Sequence, residues 1–168
     1  MTLFRRYVLA LVAALTLAAP QFVQAQAFTD YAENKITDAL LRNQAIGTPA
    51  TWYIALDTTA CSDSAAGTEV TGGSYARASF TPSLTSWSGT LNSSQTVAST
   101  GTGGVSSNLG TLSFPTPTAP WGTVTHWRLV DAPTGGNTWI CAALTASQTI
   151  STGNTVSFAV NSLSVTVQ

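Results

Sequence analysis

The sequence predicts a mainly β protein, an antiparallel β-sandwich of jelly-roll-like form with one amphipathic helix near the N-terminus. Three observations support this fold class. Apolar and polar residues alternate in several short segments after residue 50, which is typical of half-buried strands. Turn-forming Gly, Pro, Asn and Asp separate these segments at short intervals, as in sandwiches and barrels. Charged residues make up only 8% of the chain, against about 25% in typical globular proteins, so Ser, Thr, Asn and Gly supply most of the polar surface.

Composition changes along the chain and predicts three parts. They are a signal peptide (1–25), an N-terminal helix region (26–48) and a β-sandwich domain (49–168). In the first part, Arg5 and Arg6 precede an apolar run, and small residues suited to signal peptidase lead up to Ala25. The run is shorter than the roughly 20 residues that span a bilayer as a helix. We therefore expect export and no stable membrane anchor after cleavage, with an uncleaved anchor or an upstream start codon as the alternatives.

Residues 28–42 are predicted to form the helix, because apolar residues recur there at spacings of three and four. Thr29 or Asp30 can cap its N-terminus, and Gly47 and Pro49 end it. The predicted apolar face consists of Phe28, Tyr31, Ala32, Ile36, Ala39 and Leu40. This face is expected to pack on one end or face of the β-sandwich.

The rest of the chain alternates with a period of two, which predicts strands joined by turns. A hairpin turn is predicted at 131–137 and a tight turn at 153–154, because Pro, Gly and Asn cluster there. Residues 61–73 form a predicted loop, and 83–110 a set of short strands with a mobile excursion. The predicted strands are 51–57, 74–81, 111–114, 123–130, 138–144, 148–151 and 155–167.

Two cysteines, Cys61 and Cys141, lie in the part of the chain that remains after signal cleavage. A pair of cysteines in an exported protein favours a disulfide. Two buried free thiols are the alternative. No metal site is expected, since His126 is the only histidine that could join the two sulfur atoms.

The sequence contains few groups that could carry out acid–base chemistry, so we expect no enzyme, no catalytic residues and no cofactor. His126 lies in a predicted strand, and no nucleophile-elbow motif accompanies it. The carboxylates outside the helix match no active-site spacing, although three of them could instead help to hold Ca²⁺ in the loop. These carboxylates are Asp57, Asp63, Glu69 and Asp131, of which the first three are the calcium candidates. The chain also lacks the basic patch that nucleic-acid binding needs.

Five tryptophans are the remaining candidates for function. Trp87 and Trp121 lie in predicted loops, so we assign them as candidate binding residues that could stack on a sugar or anchor a protein interface. Trp52, Trp127 and Trp139 lie in predicted strands and are expected to fill the core.

Two segments are the most specific part of a family resemblance. They are GTEVTGGSYAR at 67–77 and APWGTVTHWRLVD at 119–131. Over residues 27–167 the sequence resembles a family of small phage virion proteins, described as tail-fibre or related structural proteins. The resemblance implies a β-rich structural subunit without catalytic residues. The signal segment and the two cysteines differ from the family pattern, and both indicate an oxidising location.

We therefore expect a phage virion structural protein, either tail-fibre-like or a decoration subunit, that acts by assembly or surface binding. Its expected partners are copies of itself or other virion proteins, and a cell-surface glycan is a further candidate. Its expected location is the virion or, because of the signal segment, the extracellular space or periplasm. The alternatives are an exported filament or surface-layer subunit and a carbohydrate-binding module that uses Trp87 or Trp121.

Overall fold

A computed structural model describes residues 27–89, 99 and 104–167 of the chain. The predicted signal peptide lies outside the described residues, and so do residues 90–98 and 100–103 of the predicted excursion in 83–110. The elements in chain order are β1 (Ala27–Phe28), α1 (Asp30–Arg42), β2 (Trp52–Asp57), β3 (Ala78–Phe80), β4 (Val105–Ser107), β5 (Leu112–Ser113), β6 (Gly122–Val130), β7 (Thr138–Ile150), β8 (Ser157–Phe158) and β9 (Ser164–Thr166). The prediction of a mainly β fold with one N-terminal helix is confirmed.

The central element is a five-stranded sheet with the order β1-β7-β6-β2-β3, in which all the neighbouring strands are antiparallel. Two small sheets, β4 with β9 and β5 with β8, are also antiparallel. Side chains from all three sheets belong to one hydrophobic core cluster or pack against it. This arrangement agrees with a sandwich-like fold.

The two faces of the large sheet differ in chemistry, because side chains alternate along each strand. Leu56 is paired with Trp127 in the register of β2 and β6, and both side chains belong to the hydrophobic core. The preceding pair, Ala55 and Arg128, lies on the opposite face. β2 is buried along nearly its whole length, so both faces of the sheet are covered at this strand.

Four predicted strands differ clearly from those observed. The strand predicted at 74–81 is reduced to β3, because Gly72, Gly73 and Ser74 have left-handed backbone angles that turn the chain. The strand predicted at 155–167 is divided into β8 and β9, and Asn161 between them also has a positive φ. Conversely, the strands predicted at 138–144 and 148–151 form one continuous strand, β7.

The helix begins two residues later than predicted. Phe28 belongs to β1 and pairs with Ile140, so the backbone stays extended up to Thr29. The Thr29 hydroxyl then accepts a hydrogen bond from the Ala32 N–H and acts as the N-cap. The helix ends at Arg42, because Asn43 adopts a left-handed conformation and caps the helix with its own N–H.

Only the first part of the predicted apolar face packs against the sheet. Ala32 is buried, and the Tyr31 ring meets Trp139 edge to face with 5.4 Å between centroids. By contrast, Leu40 is 77% exposed and Leu41 is 80% exposed. The helix thus packs on the sheet at its N-terminal end and carries exposed leucines at its C-terminal end.

Replacing Thr29 with alanine is expected to lower the free energy of unfolding by about 1 kcal/mol, because the helix N-terminus loses its cap. The Thr29 hydroxyl also donates to the Thr138 carbonyl, so the change removes a contact between the helix and β7. Urea denaturation of Thr29→Ala and Thr29→Ser measures the effect. Serine keeps the hydroxyl and should stay close to the wild type, and an equal loss in both variants would contradict the capping role.

Candidate functional site

Four charged residues form a connected ionic cluster on one face of the large sheet. Arg128 on β6 holds Asp57 at the end of β2 with two bonds, Nε to Oδ2 at 2.6 Å and Nη2 to Oδ1 at 2.9 Å. The same Nη2 lies 3.0 Å from Oε2 of Glu69. Arg77 binds Glu69 in turn, with Nε to Oε1 at 2.7 Å and Nη2 to Oε2 at 2.6 Å. The cluster contains two positive and two negative side chains and is electrically neutral.

The donors of both guanidinium groups are used within the protein. Nη1 of Arg77 donates to the carbonyls of Ala132 and Gly135 at 2.6 and 2.9 Å. Nη1 of Arg128 donates to the Thr138 hydroxyl at 3.0 Å. Arg77 and Arg128 are the only arginine or lysine residues of the sequence after the helix. We call the chain after the helix, from residue 49 onward, the β part. The burial of the two arginines leaves its surface without an arginine or lysine free to bind an anion.

Glu69 in the cluster and Tyr75 beside it both have shifted pKa values. Burial alone would raise the pKa of Glu69, but the hydrogen bonds and charge of Arg77, with the charge of Arg128, outweigh burial and lower it. Burial raises the pKa of Tyr75, so its hydroxyl stays protonated. That hydroxyl donates to Oε1 of Glu69 and accepts from the Leu56 N–H. The Tyr75 hydroxyl therefore connects Glu69 to the backbone near the C-terminal end of β2.

The lowered pKa of Glu69 predicts that stability falls in acid. The unfolded chain takes up a proton on this group at about pH 4.5, before the folded protein does. The stabilising contribution is therefore complete above that pH and is lost as the pH falls through the lower folded pKa. Unfolding midpoints measured between pH 7 and pH 3 should decline less steeply in Glu69→Gln than in the wild type. If the unfolding midpoint falls with pH equally steeply in both proteins, the lowered pKa of Glu69 is contradicted.

The carboxylates considered as acid–base or calcium candidates do not form such a site among the described residues. Both oxygens of Asp57 and both of Glu69 are bound to arginines. Asp131 accepts from the backbone and side chain of Asn137, which stabilises the predicted hairpin turn. The described residues contain no group of three or more His, Cys, Asp or Glu placed to hold a metal ion.

His126 lies in β6, as predicted, and is half-buried. Its Nδ1 lies 2.9 Å from the Thr125 hydroxyl. Asp57 is opposite His126 in the strand register, but both oxygens of that carboxylate are bound to Arg128. Asp57 therefore does not orient the imidazole as the carboxylate of a catalytic triad does.

Cys61 and Cys141 are bonded to each other, with their Cα atoms 6.0 Å apart. Cys141 lies opposite Arg128 in the register of β6 and β7. The disulfide thus fastens the loop after β2 to the face of the sheet that carries the ionic cluster. The sequence was compatible with a disulfide or with two free thiols, and the described structure contains no free cysteine.

The two tryptophans predicted to bind a partner lie in different surroundings. Trp121 is only 5% exposed, its indole N–H donates to the Gly73 carbonyl at 3.0 Å, and its ring meets Tyr75 edge to face. Trp87 is half-buried and lies against Phe80 with 5.2 Å between ring centroids. Its indole nitrogen is buried and has no hydrogen-bond partner among the described residues. Trp87 therefore keeps the better position for contact with another molecule.

Trp87 lines an open apolar groove of about 320 Å³, which we call the Trp87 groove. The segment opposite Trp87 is held by Asn108, whose buried side chain bonds to Gly110, Ala159 and Leu163. The sequence indicated only Trp87, because the other residues come from separate strands and loops. The lining residues are Trp52, Phe80, Pro82, Ser83, Trp87, Ser106, Leu129, Ile140 and Val165.

A second apolar surface lies at the C-terminal end of α1. It consists of Leu40, Leu41 and Ile46, all of which are exposed, and we call it the helix-end patch. Arg42, between these residues, is paired with Asp38 one turn earlier at 2.9 Å. Among the described residues no helix has the length and apolarity that crossing a membrane requires.

The fold places the chain among mainly β proteins with a single helix near the N-terminus of the described residues. A family model described as Podophage GP4 fiber I protein gp80 matches residues 27–166. Because this match extends over most of the chain, the chain belongs to that phage fibre family, and the predicted resemblance is confirmed. The chain is therefore a structural protein of the phage virion. No curated protein matches the chain.

Proposed function

We propose that the protein is a fibre subunit of the virion, rather than a capsid-decorating one, and that it acts by assembly and surface binding. The observation that carries this proposal is the match of a fibre-protein family over residues 27–166. The surface of the β part supports it. Both arginines of that part are enclosed in the ionic cluster, so charge repulsion between copies is weak and apolar contacts can decide association.

The same features support a function without catalysis. The carboxylates of Asp57 and Glu69 are engaged by arginines, and His126 contacts only a hydroxyl through its Nδ1. A residue that transfers protons needs a free position beside the reacting group. The described chain instead presents the Trp87 groove and the helix-end patch. A cell-surface glycan is a further candidate ligand, since a sugar ring could stack on the exposed part of Trp87.

We also propose that residues 1–25 direct export and are then removed. The bonded pair Cys61 and Cys141 supports this proposal, because structural disulfides form and persist in oxidising compartments. An exported filament or surface-layer subunit would share this property. Location on the particle therefore has to distinguish the fibre from these alternatives.

Antibodies against the β part, applied to purified particles and viewed by electron microscopy, test the proposal. Gold label is expected on the projecting fibres. Label spread over the capsid would favour a decoration subunit, and label on host-cell filaments with none on particles would favour the exported alternative. Pre-incubation of the antibody with purified protein is the control and should abolish the label.

A further inference from the structure

The segment that follows β2 folds back on the end of that strand and covers the Asp57 carboxylate. We call residues 58–68 the lid. The two ends of the lid lie against each other, because the Thr58 N–H donates to the Thr68 carbonyl at 2.8 Å. Gly67 lies directly on Asp57, and a Cβ at Gly67 would be 2.6 Å from Oδ2 of that carboxylate. The lid therefore contributes to the complete burial of Asp57.

Packing anchors the lid only weakly. None of its residues is buried, and most are exposed. A cavity of about 240 Å³ lies between the lid and the start of α1, where the Asp30 N–H donates to the Asp63 carbonyl at 3.0 Å. Segments with few buried apolar contacts and with exposed backbone hydrogen bonds open at a low cost in free energy. Held by packing and hydrogen bonds alone, the lid is therefore expected to open readily.

The disulfide supplies the anchor that packing does not. Cys61 belongs to the lid and is bonded to Cys141 on β7. Cys141 is buried and lies opposite Arg128 in the strand register, and Arg128 is the residue that binds Asp57. The bond thus fixes an exposed polar segment to a rigid strand, directly beside the ion pair that the segment covers.

We infer that the bond between Cys61 and Cys141 is a redox latch, which holds the lid over Asp57 when oxidised and releases it when reduced, while the sheet stays folded. The latch closes by thiol–disulfide exchange. The two thiols lose two protons and two electrons and form the sulfur–sulfur bond, and a disulfide oxidant is reduced to two thiols. The sheet is expected to survive reduction, because no lid residue belongs to the hydrophobic core cluster. The inference goes beyond the proposed function and does not depend on where the protein lies on the particle.

Limited proteolysis of the purified full chain with a broad-specificity protease tests the latch. Every sample is denatured and fully reduced after the digest, so that mass spectrometry detects each cut within residues 58–68. Reducing the native protein with a dithiol reagent should raise the rate of cleavage in the lid at least tenfold, and the far-ultraviolet circular dichroism spectrum should remain that of the folded protein. The variant Cys61→Ser with Cys141→Ser should be cleaved at the reduced rate with or without the reagent.

A second arm displaces the lid while the disulfide is intact. Gly67→Ala places a Cβ against the Asp57 carboxylate, so the oxidised variant should be cleaved in the lid at least tenfold faster than the oxidised wild type. Gly110→Ala is the matched control and should behave like the wild type, because a Cβ at Gly110 has nothing within 4 Å.

Three results would overturn the inference. The first is equal cleavage of the lid in the oxidised and the reduced wild type. The second is loss of the folded spectrum on reduction, because the bond would then hold the whole fold and not the lid. The third is a Gly67→Ala variant that is cleaved no faster than the wild type, because the lid would then not be seated on Asp57. None of these results bears on the presence of the chain in particles, so the proposed function is tested separately.

Discussion

Replacing Arg128 with methionine is expected to lower the free energy of unfolding by about 3–5 kcal/mol. The Asp57 side chain is 0% exposed, and both of its oxygens are bound to Arg128. Methionine keeps much of the apolar stem but leaves a buried carboxylate without a counter-charge. Breaking one partner of such a pair is costly because the remaining ion has lost water and gained nothing in return. Urea denaturation at pH 7 measures the loss.

Two comparisons separate this electrostatic effect from lost packing. The double variant Asp57→Asn with Arg128→Met removes both charges and should recover much of the stability. Arg42→Met breaks the exposed pair with Asp38, which is worth only about 0.5 kcal/mol on a helix surface. The account is contradicted if Arg128→Met costs no more than Arg42→Met, or if the double variant is as unstable as the single one.

Replacing both cysteines with serine is expected to lower the free energy of unfolding by roughly 4 kcal/mol in the chain-entropy model. The bond joins residues 80 positions apart, so its loss frees a long loop in the unfolded chain. It also releases the segment after β2 from the sheet face beside Arg128. Chemical denaturation of Cys61→Ser with Cys141→Ser, compared with the wild type, gives the difference.

A reducing agent is the control for the disulfide prediction. It should destabilise the wild type by a similar amount and leave the double serine variant unchanged. Intact-mass spectrometry of the protein purified from its natural source should show a chain lighter by two hydrogen atoms than its reduced form. The same spectrum should show a chain that begins at Gln26, if residues 1–25 are removed. A reduced mass in the natural product would contradict the disulfide, and an intact Met1 would contradict cleavage.

Local patterns predicted the parts of the fold that depend on local chemistry. The alternation at 123–130 and the turn at 131–137 agree with β6 and the hairpin that follows it. The start of the helix was wrong, because pairing of Phe28 with Ile140 on a distant strand overrides the helical spacing. The strand predicted at 74–81 was too long for a similar reason. Its first residues turn to place Tyr75 and Arg77 against Glu69.

The ionic cluster lay beyond sequence reasoning because its members are far apart in the chain. Asp57 and Arg128 are separated by 71 positions, and Glu69 lies in the predicted loop at 61–73, where the sequence indicated at most a calcium ligand. One signal was present. In a chain with so few charges, Asp57 and Arg128 occupy predicted strands that are otherwise rich in apolar residues, and such residues are rarely buried unless paired.

The difference between the two loop tryptophans also depends on distant contacts. Trp121 is covered because Gly73 comes close enough for its carbonyl oxygen to accept a hydrogen bond from the indole N–H. A side chain at Gly73 would place its Cβ 2.7 Å from the Ala119 carbonyl oxygen and 3.0 Å from the indole nitrogen, and its φ of +52° favours glycine. No local pattern distinguishes Trp121 from Trp87, which lines a groove built from six separate parts of the chain.

The most direct test of the central claim is the protein content of the particle. Phage particles banded twice in a density gradient and analysed by quantitative mass spectrometry should contain peptides from residues 27–166 at a constant ratio to the major capsid protein. That ratio should persist after a high-salt wash, since apolar contacts resist salt. Particles that are infectious and complete but lack these peptides would contradict the assignment of this chain as a virion structural protein.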